Sequence, residues 1–213
     1  MELLSPFLIL YHRNYTLPPR LCYYTPMKNI ILASASPRRR ELLSRTGIVF
    51  TVETADIDET IDPFKALTEE IQRLAYRKAK AVLDKHPDCI IIGSDTIVTI
   101  DQKVLGKPKD REDAERMLRV LSGRTHQVYT GLSILSSRRE FSYLSINDIV
   151  FDELSEQEIE DYVSSDEPYD KAGAYAIQGL ASRYITEIHG DFYAIMGLPV
   201  HIIYEELKNI TDY

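Results

Sequence analysis

No apolar run in this chain approaches the roughly 18 residues that a membrane-spanning helix needs, so no integral helical membrane protein is expected. Cysteine is scarce. Cys22 and Cys89 lie far apart and lack the paired spacing of a zinc site. Cys89 sits inside an apolar run and reads as a small buried hydrophobe, and this sparse usage suits a reduced, cytoplasmic protein. An HExxH helix, a Walker A loop and a GxSxG elbow are all missing, which removes three common hydrolase signatures. Positive charge is in deficit, with 33 acidic against 25 basic residues and a formal net charge of −8. A general nucleic-acid binder needs a basic face, so none is expected. A small polyanion can still be held, because a local cationic pocket can sit on an acidic protein. Low complexity and internal repeats are absent too, and ten prolines and nine glycines are ordinary usage.

What remains is 213 residues, 44% hydrophobic and 27% charged, enough for one large domain or two small lobes around a real core. The first 26 residues differ from the rest. Their apolar run from Leu3 to Leu10 is broken by Ser5 and Pro6, and Glu2 stands where a signal peptide would carry basic residues. Residues 1–26 are therefore expected to be an extension, either disordered or left by a start upstream of Met27, and residues 27–213 the domain.

From Lys28 the chain becomes regular. A short strand, Asn29 to Ala33, leads to Ser36-Pro37, an N-cap followed by proline at the first helical position. A second strand spans Val49 to Thr54. Thr68 is expected to cap a helix whose apolar positions Ile71, Leu74, Ala75, Ala79 and Val82 follow the 3.6-residue period. Ile90, Ile91 and Ile92 form a strand buried on both faces, expected to end in Gly93-Ser94-Asp95-Thr96. An extended or hairpin segment, Ile97 to Leu105, precedes a helix opened by Lys107-Pro108 and Asp110. The alternating segments Gln127–Leu135 and Phe141–Phe151 predict a hairpin. Ser155 and Glu158 make a capping-box pattern. A strand pair near Ala174–Ile177 and Tyr184–Ile188, then a helix from Pro199 to Asn209, complete an α/β reading. The expected fold is an elongated mixed β-sheet flanked by helices, with two lobes and a cleft between them.

Four features can carry chemistry. Ser34-Ala35-Ser36-Pro37-Arg38-Arg39 is a strand-to-helix turn whose free N–H groups, helix dipole and two arginines suit a phosphate; the alternative is a capped helix with a solvated basic face. Asp95 is expected just past a buried strand, where α/β sheets bind ligands, although a simple loop cap would look the same. Asp56-Ile57-Asp58-Glu59 offers hard oxygen ligands for magnesium, or is merely solvated. Lys78 and Lys107 are the last pair, Lys107 being held in a stiff turn between Gly106 and Pro108, although most lysines simply face water. The five histidines are scattered and read as structural, His126 among them, though it follows the tight turn Ser122 to Thr125.

Seven segments together resemble the Maf family of nucleotide pyrophosphatases. They are LASASPRRRELL (Leu32 to Leu43), IDET (Ile57 to Thr60), IIGSDTIV (Ile91 to Val98), LGKP (Leu105 to Pro108), LSGRTHQVYTG (Leu121 to Gly131), DKAGAYAIQG (Asp170 to Gly179) and GLP (Gly197 to Pro199). The resemblance runs from Asn29 to about Asn209, and the extension before it departs from the family pattern. It implies hydrolysis of a nucleoside triphosphate between the α and β phosphates with a divalent cation, Mg2+ or Mn2+. By position Asp95 matches the general base. Ser34, with Arg39, Lys78 and Lys107, falls where phosphates are held. Glu59 matches a carboxylate needed for activity and, with Asp95, a metal ligand. Arg38, Thr96 and Gln178 match positions associated with substrate choice, and Tyr175 with Gln178 is typical of the branch acting on dTTP and UTP. A homodimer is a further expectation. The competing readings are an inosine-type purine triphosphate pyrophosphatase and a non-catalytic regulator of cell division; joint retention of Glu59, Lys78, Asp95 and Lys107 favours an enzyme.

Overall fold

The computed structural model describes residues 29–62 and 64–211. The expectations for residues 1–26, Cys22 included, fall outside the described residues. β1 (Ile30–Ala33), β2 (Thr51–Val52) and β3 (Ile90–Ile100) run parallel, with β1 in the middle. β5 (Thr125–Ser136) lies antiparallel on the other side of β3, followed by β6 (Arg139–Phe151) and β7 (Ile185–His189). A short β4 (Lys103–Leu105) also pairs with β3, giving a mixed seven-stranded sheet. The helices are α1 (Pro37–Ser44), α2 (Leu67–Leu83), α3 (Arg111–Leu121), α4 (Glu156–Val163), the short α5 (Phe192–Ile195) and α6 (Val200–Thr211). No helix among the described residues is long and apolar enough to cross a membrane. The α/β class with a mixed sheet and flanking helices is thus as the sequence predicts.

Local signals explain most boundaries. The Ser36 side chain accepts from the Arg39 amide and Pro37 opens α1, and α4 carries the full Ser155–Glu158 capping box. The β5–β6 hairpin closes through Ser137 and Arg138 between the paired Ser136 and Arg139. Three expectations need correction. α2 begins at Leu67 with Ala66 at its cap, and no side chain caps it; Glu69 and Glu70 in its first turn complement the dipole instead of Thr68. Ala174–Ile177 is no strand, because Gly173 (φ 71°) and Ala174 (φ 60°) are both left-handed and reverse the chain. β3 does not stop at Ile92. It stays extended through Asp95 to Ile100, paired with β5 from Ile91 to Thr99.

The reason for Gly93 is packing rather than the end of a strand. A Cβ there would lie 2.8 Å from the Ala79 nitrogen and closer still to the Ala75 carbonyl oxygen. On the neighbouring strand, a Cβ at Gly131 would lie 2.5 Å from the Ile71 carbonyl oxygen. The two glycines let the α2 backbone rest directly on β3 and β5. Beneath α2, Ile91 and Leu135 pack on Ala79 and Val82 in one cluster, and Ile97 and Tyr129 pack on Ile71 in another. The opposite face of the sheet holds the larger core, built from Leu32, Ile92 and Val98 with side chains of α1, α3, α4 and α6. Cys89 is half-buried at the edge of the α2 cluster.

Because α2 is pinned at these two points, Gly93→Ala is expected to force helix and strand apart and cost about 1–3 kcal/mol of stability, as overpacked cores do. Urea or thermal unfolding of the variant measures this; a melting temperature equal to that of the wild type would show that α2 has room to spare.

Candidate active site

β3 changes partner half-way along its length. On one edge it pairs with β1 as far as Gly93, opposite Ala33, and with β4 only from Val98, opposite Leu105. Between them Ser94, Asp95, Thr96 and Ile97 face a break in the sheet, where the chain of β1 departs into α1. This is a partner switch of the kind at which α/β sheets bind ligands. Asp95 is therefore at a sheet opening as expected, but inside a strand rather than beyond its end.

Alternation sends successive side chains of β3 to opposite faces. Asp95 shares the face of Gly93 and meets α2, where the Lys78 ammonium donates to its Oδ1 at 2.6 Å. Gly131 stands opposite Asp95 on β5, so no side chain there competes for the space. Lys78 also pairs with Glu59 Oε2 at 2.9 Å. The lysine side chain is 9% exposed and that of Glu59 56%, so the ammonium is fixed while Glu59 faces solvent. No hydrogen bond from a described residue engages Asp95 Oδ2.

Arg39 enters through the break from the first turns of α1. Its Nη2 donates to Thr96 Oγ1 at 3.1 Å and lies 4.0 Å from Asp95 Oδ1. Its Nε donates to the Gly197 carbonyl at 2.9 Å, and Nη1 to Ser34 Oγ at 3.4 Å. Burial pulls the guanidinium below its usual range; the Asp95 and Glu59 carboxylates oppose that and Arg38 adds to it. It remains a cation at neutral pH. Thr96 also meets Thr130 Oγ1 at 3.1 Å, and Ser94 Oγ donates to the Gly197 carbonyl at 2.9 Å. Ser34 Oγ accepts from the Ser36 amide, and no described residue takes the backbone N–H of Ala35 or Arg38 at the start of α1.

The acidic segment is strapped to α2 by one face of that helix. Arg77 donates to the Asp58 carbonyl at 2.9 Å, Arg73 to the Thr60 carbonyl at 3.2 Å, and the Asp62 amide to Glu70 at 2.8 Å. Arg73 also donates to Glu70, holding that carboxyl down at about 2. Among the described residues no three His, Cys, Asp or Glu side chains are grouped to hold a metal ion. The donor set at the break is two hard carboxylates, Glu59 and Asp95, which fits a cation held by one or two carboxylates together with phosphate oxygens, the usual mode for magnesium.

The structure thus brings Ser34, Arg39, Glu59, Lys78, Asp95 and Thr96 together. Lys107 is exposed just past β4, in the segment that follows Leu105 toward the open edge of β3. Arg38 is half-buried beside Asp170: burial pushes that carboxyl up, and Lys171 and Arg38 more than offset it. Gln178 stands apart from the cluster on an exposed turn. Reading the sequence missed Thr130 and Gly197, both inside quoted segments, as well as the α2 strap. Arg73 and Arg77 look like any solvated helix face, and only the fold shows what they hold.

Such a break, with buried cations around a carboxylate, is that of an α/β enzyme whose ligand is anionic. The chain belongs to the Maf family, whose model, described as Maf-like protein, matches residues 29–210. A protein of Bacillus cereus strain G9842 named dTTP/UTP pyrophosphatase is 44% identical over 182 residues, covering 85% of this chain and 95% of its own. A Bacillus cytotoxicus protein of the same name is 43% identical over 186 residues, covering 87% and 97%. One from Bacillus anthracis is 43% identical over 185 residues, again covering 87% and 97%.

The segment after α4 is anchored from below by His126, which is structural. Its Nε2 meets the Tyr175 hydroxyl at 2.7 Å, and both rings pack edge-on against Phe151. Burial pushes the His126 imidazole down to about 4 from 6.5, with Asp148 opposing. Between those values the unfolded chain binds a proton that the native state refuses, so stability falls as pH drops from 6.5 to 4, by roughly 3 kcal/mol over the interval. His126→Gln is expected to flatten that part of the stability–pH curve. Parallel curves for variant and wild type over this range would remove His126 as the cause.

Proposed function

We propose that the enzyme hydrolyses dTTP and UTP between the α and β phosphates, releasing a nucleoside monophosphate and pyrophosphate. The observation that carries this reading is the meeting of Asp95 with Lys78 and Arg39 at the break in β3. A triphosphate bears about four negative charges, and preorganised cations in a site sheltered from water are the main means of stabilising their redistribution. The Ser34–Arg39 turn adds amide donors and a helix dipole end for phosphate oxygens, and exposed Lys107 can close over them.

In this reading Asp95 is the general base. Lys78 fixes the carboxylate through Oδ1 and leaves Oδ2 for the attacking water. The water oxygen bonds to the α phosphorus, its proton passes to Asp95, and the bond to the bridging oxygen breaks with pyrophosphate leaving. Arg39 and Lys78 meet the charge that builds on the phosphate oxygens. A divalent cation, held by Glu59 and Asp95 with phosphate oxygens, would supply further charge neutralisation. Thr96 and Arg38 stand at the positions that the family resemblance associates with substrate choice. Gln178 carries both an amide donor and an acceptor and can pair with a pyrimidine carbonyl and its adjacent N–H. Cytosine offers an amino group and a bare ring nitrogen instead, so it mismatches the donor and acceptor of the Gln178 amide. The relatives named dTTP/UTP pyrophosphatase support this choice of base.

The test is pyrophosphate release from a panel of triphosphates. Faster turnover of dTTP and UTP than of CTP, ATP or GTP is expected, with activity lost in chelator. Asp95→Asn should lose on the order of a hundredfold or more in kcat, with a lower melting temperature because buried Lys78 loses a carboxylate, while the variant stays folded at the assay temperature. Equal rates across the panel would overturn the pyrimidine assignment, and near-normal turnover of Asp95→Asn would remove it as the base.

A further inference from the structure

Gln178 stands on a turn that no strand supports, so its position must be fixed by something other than the sheet. The turn itself is closed by the Gly179 amide donating to the Ala176 carbonyl at 3.0 Å, with Gln178 at its third position. Directly after it, a short 3-10 turn (Leu180–Tyr184) begins without any side-chain cap from its own flank. The orphan amides at its start go to Glu167 instead. Leu180 N donates to Oε2 at 2.9 Å and Ala181 N to Oε1 at 3.3 Å. On the other side of Gln178, the Ala176 amide donates to the Tyr162 hydroxyl at 3.3 Å, and that hydroxyl donates to Glu167 Oε1 at 2.8 Å.

A continuous polar chain therefore runs from Ala176 through Tyr162 and Glu167 to Leu180 and Ala181, bracketing Ile177, Gln178 and Gly179. Gly179 lies against the carboxylate so closely that a Cβ would overlap the Glu167 carboxyl group. The chain is itself rigidly based. Tyr162 is fully buried, its ring packs edge-on against Tyr184, and burial pushes its phenol up so that it stays a donor. Hydrogen bonds to an ionised carboxylate are about twice as strong as neutral ones, and here one carboxylate takes three.

We propose that Glu167, backed by Tyr162, is a positioning residue for base selection: it holds the turn that presents Gln178 and touches neither phosphate nor attacking water. The proposal rests on the reading of Gln178 as the group that pairs with the pyrimidine. A glutamine at 167 would turn an NH2 toward one of the three donors, so the turn would lose its single arrangement while the Asp95 cluster stayed intact.

The test compares kcat and KM for dTTP, UTP and CTP in the wild type, Glu167→Gln, Tyr162→Phe and Gln178→Ala, with melting temperatures alongside. Glu167→Gln is expected to lower the dTTP-to-CTP ratio of kcat/KM on the order of tenfold, chiefly through KM for dTTP, while CTP turnover changes little. Tyr162→Phe, which keeps the buried ring, should move the ratio the same way by less, and it decides the matter if Glu167→Gln fails to fold. A role confined to stability would lower the melting temperature and leave the ratio at its wild-type value, and that result overturns the proposal. If Gln178→Ala loses the preference while neither neighbour variant does, the reading of Gln178 stands and the proposal falls. If Gln178→Ala keeps the preference, the reading itself fails and takes the proposal with it.

Discussion

The contact on which the site depends is between backbones. At Gly93 and Gly131 the α2 helix lies against β3 and β5 with no side chain between them. From a helix held this close, the Lys78 stem reaches β3 beside Asp95, and the next helical face outward offers Glu70, Arg73 and Arg77 to the segment carrying Glu59. One helix thus supplies the buried cation, fixes the solvent-facing carboxylate and covers the inner side of the strand that bears Asp95.

An acidic protein holding a polyanion needs that economy. The net charge of −8 repels a triphosphate at long range, but mobile ions screen it beyond roughly 8 Å at physiological salt. Inside that distance the field belongs to the few charges that line the break. Lys78 and Arg39 are both sheltered from water, where their attraction is strongest, and each is matched by carboxylates that offset the cost of burying it.

Much of this was legible in the chain because the signals were local. Ser36-Pro37 and the Ser155–Glu158 box name their helices directly, and the period of α2 and α3 marks their buried faces. The alternation of β5 and β6 likewise gives the hairpin. Gly93 misled because a glycine after an apolar run reads as the end of a strand, whereas its role is set by the close approach of α2. Ala174 misled for a related reason: nothing in an alanine announces a left-handed backbone, which Gly173 and the surrounding packing impose. At the site, the strand-turn-helix pattern around Ser34 and Arg39 and the end of an apolar run before Asp95 were visible locally. Lys78 was visible only as one of two candidate lysines, and its place beside the phosphates came through the family resemblance, since a lysine on an amphipathic helix looks solvent-facing. Thr130, Gly197, Tyr162 and Glu167 take their roles from tertiary neighbours and had no local signature.

The change of partner along β3 also bears on how the molecule assembles. The β5–β6 hairpin joins neighbours in sequence and can form early, and β3 can dock on it without help from the N-terminal half. The β1–β3 ladder and the α1 turn close a far longer loop of chain, so the arginine reaches the carboxylate only when both halves have come together. The cluster is then complete only in the fully folded molecule: an excursion that lifts β1 from β3 parts Arg39 from Asp95 while the β3–β5–β6 ladders are still intact.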